Sequence, residues 1–346
     1  MPETQPQPPA PSPQPRRADA RLAAAVQWRA GVATDTGLVR ASNEDRYWID
    51  DENGAFLVVD GVGGHAAGET AAETAVEVIR AELRAASEDS SGGAEHLVRR
   101  AIAAANNRIY AIARDSDALR GMACVLTLAV VDASEMVIGH VGDSRLYLVW
   151  NGAIRKLTPD HSPVGEGEDA GELTEEQAML HPRRNEVFRD VGTRPHEAGD
   201  DGFIEIRRCH FKPEAAFLLC SDGLSDVLPS AAIRDIVERY QGDPAQVARE
   251  LVEAANEAGG KDNITALFVA GSEFRGREPA GEWPAMRAAG ARHATTRMRH
   301  ATTRMRAGQA TAPGALRRLA TGRIAFLFYG VLLGILILTA WHAVRG

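Results

Sequence analysis

The chain has 346 residues, 45% of them hydrophobic, which is ample for a core and excludes a chain disordered throughout. Its formal net charge of -8 is unevenly spread: residues 275–323 are rich in Arg and nearly free of acids, so the part before them is strongly acidic, which favours divalent cations and disfavours a nucleic-acid partner. The cysteines, Cys124, Cys209 and Cys220, are odd in number and form no C-x-x-C pair, which argues against a disulfide framework or zinc ribbon and suits a reducing compartment.

Residues 1–27 are dominated by Pro, Gln and small polar residues, and are expected to be a disordered tail with no apolar run of the kind a secretory signal needs. From 28 to 272 the composition is that of one globular domain. Short apolar runs at 55–59, 125–131, 136–141, 146–149, 215–219 and 264–269 predict strands. Asn151-Gly152, flanked by apolar residues, predicts a hairpin. Helical spacing is found over 66–86, 94–114, 230–240 and 244–258. Strands outnumber helices and come in adjacent pairs, so the expected architecture is α+β, with antiparallel sheets covered by helices. The long polar segment 159–192, with a short helix at 174–180, has the length and composition of a lid or binding loop.

After residue 272 the character changes. Residues 273–323 predict a flexible basic linker containing a tandem heptad, RHATTRM at 292–298 and again at 299–305. The uncharged apolar stretch beginning at Ile324 predicts a transmembrane helix over 324–343. Arg317, Arg318 and Arg323 precede it and only Arg345 follows. The positive-inside rule then places the chain in the cytoplasmic membrane as a single-pass protein with its globular domain in the cytoplasm.

Five acidic motifs punctuate the globular part: Asn43-Glu44-Asp45, Asp60-Gly61, Gly142-Asp143-Ser144-Arg145, Ser221-Asp222-Gly223 and Lys261-Asp262-Asn263. In four of them an apolar strand runs directly into or out of the carboxylate. Desolvating several carboxylates together is costly unless a cation neutralises them, and hard ions such as Mg²⁺ and Mn²⁺ prefer oxygen ligands. Glycine after Asp60 and Asp222 lets the backbone pass close by and turn a carbonyl toward the same place.

The strings GLVRASNEDRY, VVDGVGGHAAGE, IGHVGDSRLYLV, LTPDHS, HPRRNEVFRDVG, LLCSDGL and KDNIT, in this order and at these spacings, resemble the bacterial branch of the protein phosphatase 2C family of metal-dependent phosphatases. The resemblance implies a four-layer α/β/β/α sandwich and a Mn²⁺- or Mg²⁺-dependent protein serine/threonine phosphatase. It implies two ions, with Asp60 bridging them, the Gly61 carbonyl on the second, Asp222 and Asp262 completing the first, and Glu44 and Asp45 holding waters around the second. Asp143 corresponds to a ligand of a third, weaker ion, and Arg40 to the arginine that grips the substrate phosphate. His65 falls in the glycine-rich turn, as a proton donor or a hydrogen-bonding residue. Hydrolysis of phosphoserine or phosphothreonine by direct attack of metal-bound hydroxide follows from that likeness, as do phosphorylated protein substrates and an opposing Ser/Thr kinase. The chain departs from the family at Met122-Ala123-Cys124-Val125, where hydroxyl residues are usual, and at Pro163 and Gly167 in the flap, where apolar ones are. The alternative function is a catalytically weak, phosphoprotein-binding membrane scaffold.

Overall fold

The computed structural model describes residues 27–64, 66–86 and 93–276. The N-terminal tail, His65, most of the basic linker and the transmembrane candidate at 324–343 lie outside the described residues. Among the described residues no helix is long and apolar enough to cross a membrane.

Ten strands are described: β1 (Trp28–Asp35), β2 (Arg46–Asp50), β3 (Ala55–Val62), β4 (Ala123–Asp132), β5 (Glu135–Val141), β6 (Arg145–Trp150), β7 (Ala153–Lys156), β8 (Glu205–His210), β9 (Ala216–Cys220) and β10 (Ile264–Gly271). They form two five-stranded sheets, β1-β10-β9-β6-β7 and β2-β3-β4-β5-β8. Every pairing within them is antiparallel. The long helices α1 (Ala66–Ala86) and α2 (Gly93–Asp115) cover the second sheet.

Consecutive residues of one strand serve different layers. Phe56 and Val58 of β3 point between the sheets, where they meet Ile138, Leu146, Phe217, Leu219 and Leu267. Leu57 and Val59 point outward and pack with Leu126, Leu128, Ile79, Ile102 and Ile109 beneath α1 and α2. Because both faces of the central strands are covered, they read in sequence as unbroken apolar runs and lack the alternation of a half-exposed sheet. Each fully buried large side chain contributes roughly 1.5–3 kcal/mol relative to exposure.

The Asn151-Gly152 hairpin forms as expected. Trp150 pairs with Ala153, and both turn residues have positive φ, 57° and 75°, the combination a two-residue type I′ turn requires. The segment 159–192 is more ordered than its composition suggests. It contains α3 (Pro163–Asp169), capped by the Ser162 side chain, and α4 (Glu175–Met179), opened by a Thr174/Gln177 capping box. Arg145 of β6 ties this segment down, donating from Nη2 to Asp160 at 2.6 Å and to Glu168 of α3 at 2.9 Å.

Three further helices complete the fold: α5 (Asp222–Ser225), α6 (Ser230–Val237) and α7 (Pro244–Glu257). Ile233 of α6 and Val247 and Leu251 of α7 pack with Leu218 and Phe268, which covers the outer face of the first sheet. Packing runs slightly beyond residue 272: Phe274 is buried against Tyr240 and Phe268, with ring centroids 5.5 and 6.1 Å away.

Candidate active site

The acidic motifs meet at one end of the sandwich because each sits where a strand enters or leaves that end. Asp60 lies near the close of β3, Asp143 in the turn from β5 to β6, Asp222 just after β9 at the start of α5, and Asp262 just before β10. A cavity of about 230 Å³ is lined by Asp60, Asp143, Asp222 and Asp262 together with Arg40 and Glu44. The Gly61 backbone and the flap residues Asn185 and Val187 complete its wall. A side chain at Gly61 would meet the Gly68 carbonyl at 2.4 Å, and one at Gly223 would meet the Asn263 carbonyl at 2.0 Å. Both glycines are therefore required by close backbone approach.

Asn263 is the staple of this end. Its side chain accepts from the Glu44 amide at 2.8 Å and donates to the carbonyls of Ser42 at 2.8 Å and Thr36 at 3.0 Å. That fixes the loop carrying Arg40 and Glu44 onto the root of β10. Arg40 Nη2 donates to Asp262 Oδ2 at 2.6 Å, while Asp262 Oδ1 accepts from the Asn263 amide at 2.8 Å. Asp45 is brought near but does not line the cavity. Its Oδ2 accepts from Ser221 and Thr265, both at 2.7 Å, and its buried Oδ1 has no partner.

The electrostatics follow from crowding. Burial, and then the charges of Asp45, Asp222, Asp143 and Asp262, hold the Asp60 carboxyl well above the usual range. Burial followed by Asp222 and Asp160 does the same to Asp143. Burial and the Asp262 charge lift Asp222 to about 6 against the pull of Arg184, and burial lifts Asp45 to about 7. Asp222 keeps an enclosed Oδ1 without a partner. Among the described residues no three ligating side chains close on one point as a finished cage. Asp262 is held by Arg40. An all-oxygen donor set of crowded acids with an orphaned carboxylate oxygen fits a hard divalent ion.

Residues 39–266 match the protein phosphatase 2C family. The chain belongs to that family. It is 36% identical over 242 residues to the serine/threonine phosphatase stp of Listeria welshimeri, covering 68% of this chain and 93% of that protein. The crystal structure of the Mycobacterium tuberculosis serine/threonine phosphatase PstP/Ppp superposes with a TM-score of 0.61 at 31% identity, covering 70% of this chain and 98% of that one. The PstP catalytic domain in complex with 2 manganese ions gives a TM-score of 0.61 at 30% identity, covering 70% of this chain and 98% of that one. As a member of this family the protein is a PP2C-type serine/threonine protein phosphatase with two antiparallel sheets flanked by helices.

The departures from the family pattern fall beside the acids. Cys124 lies on β4 opposite Gly61 and is fully buried, and burial pushes its thiol well up, so it carries no thiolate. Pro163 opens α3, where its missing N–H costs nothing, and Gly167 lies within the same helix. Sequence reasoning missed Asp226, ion-paired with Arg184 and raised well above the usual range by burial and Asp222. With Asp143 and Asp222 it lines a separate water-sized cavity of about 20 Å³. The spacing of four residues from Asp222 was the available signal, since it returns a side chain to the same face of a helical turn.

Proposed function

We propose that the protein hydrolyses phosphoserine and phosphothreonine esters of other proteins with the help of two Mn²⁺ or Mg²⁺ ions, with a third, weaker site. The observation that carries this reading is the convergence of Asp60, Asp143, Asp222 and Asp262 with Arg40 on one cavity. Asp60, Asp222, Asp262 and the Gly61 carbonyl would hold the pair, Glu44 would act through waters, and Asp143 would serve the third, while Asp45, turned to Ser221 and Thr265, would back the site from behind. When bound, such ions supply Lewis acidity that makes water a nucleophile near neutral pH and offsets charge on the phosphoryl oxygens.

The chain's own residues do the rest. Arg40 presents a planar fork matched to two phosphate oxygens, and at 47% side-chain exposure it can reach a group arriving from solvent. Its present partner, Asp262, holds that fork at the cavity wall. Leu38 and Val39, both strongly exposed, offer the substrate an apolar rim beside Arg40. Val187 and Asn185 bring the flap into the wall of the same cavity, and the buried Arg145–Asp160–Glu168 contacts hold the start of that segment against β6.

A Ser/Thr kinase would supply the phosphorylated substrates. The apolar stretch at 324–343 would anchor the domain on the cytoplasmic face of the membrane through the basic linker. The direct test is phosphate release from a phosphothreonine peptide. Mn²⁺ should support it, excess EDTA should abolish it and added Mn²⁺ should restore it. Turnover that persists in chelator would refute the metal dependence.

A further inference from the structure

A second cavity, of about 220 Å³, opens beside the catalytic one, with the flap chain as the wall between them. Val187 lines the first, while Phe188, Arg189, Thr193 and Arg194 line the second. Backbone pairing holds the flap chain to β4 at this point. Val191 exchanges two backbone hydrogen bonds with Cys124, of 3.0 and 2.8 Å, and Cys124 lies opposite Gly61 in β3. Two strand spacings, about 10 Å, therefore separate the catalytic Gly61 backbone from Val191.

The loop that carries Arg194 is fixed to α2 by two asparagines. Asn106, fully buried, accepts from the Gly192 amide and donates to the Arg194 carbonyl, both at 2.8 Å. Asn107 donates to the His196 carbonyl at 2.7 Å and accepts from the His196 amide at 2.9 Å. The Arg194 side chain is oriented as well. Its Nε donates to His196 Nε2 at 3.0 Å, which leaves the proton of that ring on Nδ1, donated to Asp200 at 3.0 Å. The ring itself is stacked on Phe203 at 3.8 Å. One edge of the guanidinium is thus committed to the loop, and the Nη edge is left for the cavity.

Arg189 is the second cation. Its Nη1 lies 3.2 Å from His161 Nε2 and its guanidinium 5.8 Å from the centre of the exposed Phe188 ring. Among the described residues neither Arg189 nor Arg194 is ion-paired with a carboxylate, whereas Arg46, Arg145, Arg184 and Arg208 each hold one. The carboxylate that lines this cavity, Asp190, accepts from the Thr193 amide at 3.2 Å.

We propose that Arg189 and Arg194 form an anion subsite that binds a second phosphate or a carboxylate on the substrate protein. Because the consecutive flap residues Val187 and Phe188 line the two cavities, that anion would lie within a few residues of the phosphoresidue being hydrolysed. The preferred substrates are then multiply phosphorylated or acidic segments. The proposal rests on the phosphatase reading and narrows its substrate class. Two guanidiniums without carboxylate partners, beside an aromatic ring and one flap residue from the reaction centre, suit phosphate geometry better than an apolar side chain.

The test uses the full chain with Mn²⁺ and a set of phosphothreonine peptides. One is otherwise neutral, and the others carry a second phosphothreonine or a glutamate at each position from about two to six residues to either side. The second phosphate at its best position should raise kcat/KM about tenfold over the neutral peptide, and glutamate should raise it less. Arg194→Ala should remove most of the preference and Arg194→Lys should keep part of it. Equal rates on all peptides, or a preference that survives in Arg194→Ala, would overturn the subsite while leaving the phosphatase reading intact. Hydrolysis of none of them would overturn both.

Discussion

Asp222→Asn should make the metal-free protein more stable while destroying its function. The substitution keeps the shape of the side chain and removes one charge from the cluster. In the folded protein, burial and the neighbouring Asp262 lift this carboxyl from 3.8 to about 6, and Arg184 limits the rise. The unfolded chain gives up the proton near pH 3.8 and the folded chain near pH 6. Folded stability therefore falls as pH rises through that interval, and the full deficit is present above it. At about 1.4 kcal/mol per pH unit, the deficit is on the order of 3 kcal/mol. Solvent on the cavity side screens part of it, leaving roughly 1–3 kcal/mol for asparagine to recover. For a domain of this size that is a gain of about 3–8 °C in Tm. Thermal unfolding in EDTA measures it, and the gain at pH 8 should be about twice that at pH 5. Saturating Mn²⁺ should stabilise the wild type by about 2.7 kcal/mol at a hundredfold excess over Kd, and the variant by much less. A variant less stable than the wild type in chelator at pH 8 would refute the electrostatic account of the cluster.

The same structure predicts other outcomes. Arg40→Ala should raise KM for phosphopeptides by about tenfold or more with a smaller change in kcat, since the residue binds and orients the phosphate; an unchanged KM would contradict that role. Asn263→Ala leaves the Glu44 amide and the Thr36 and Ser42 carbonyls without their partner, at a cost of about 2–4 kcal/mol in urea unfolding, and a loss below about 0.5 kcal/mol would show that the staple is unimportant. A chain ending after Gly276 should fold, whereas one ending after Gly271 loses Phe274 from its aromatic cluster and should be weaker by about 3–5 kcal/mol. Equal denaturation midpoints for the two would show that Phe274 contributes nothing.

Much of the fold was legible because this sandwich is covered on both faces. The strands β3, β4, β5, β6, β9 and β10 announce themselves as apolar runs, and the turn after Trp150 by its Asn-Gly pair. The edge strand β8 did not, because EIRRCH has charged residues at three of its six positions, buries none fully and pairs on one side only, with β5. Helix α3 was hidden by Gly165 and Gly167, which lower helix propensity; Ser162 capping and the Glu168 contact to Arg145 offset that. The site was readable at Asp60, Asp143, Asp222 and Asp262, where a strand end fixes both position and direction. It was not readable at Asp45, which lies next to Glu44 in sequence but turns toward Ser221 and Thr265. The contacts of Arg145 and Asn263 span from 15 to 227 residues of sequence, and no local pattern encodes them.

The central claim is that these acids act as a metal site. It is tested most directly by anomalous scattering at the manganese edge from crystals grown with Mn²⁺. The account predicts two strong peaks in the cavity bounded by Asp60, Asp222 and Asp262, with Arg40 released from Asp262. A map with no peak there, and Arg40 still bonded to Asp262, would contradict it.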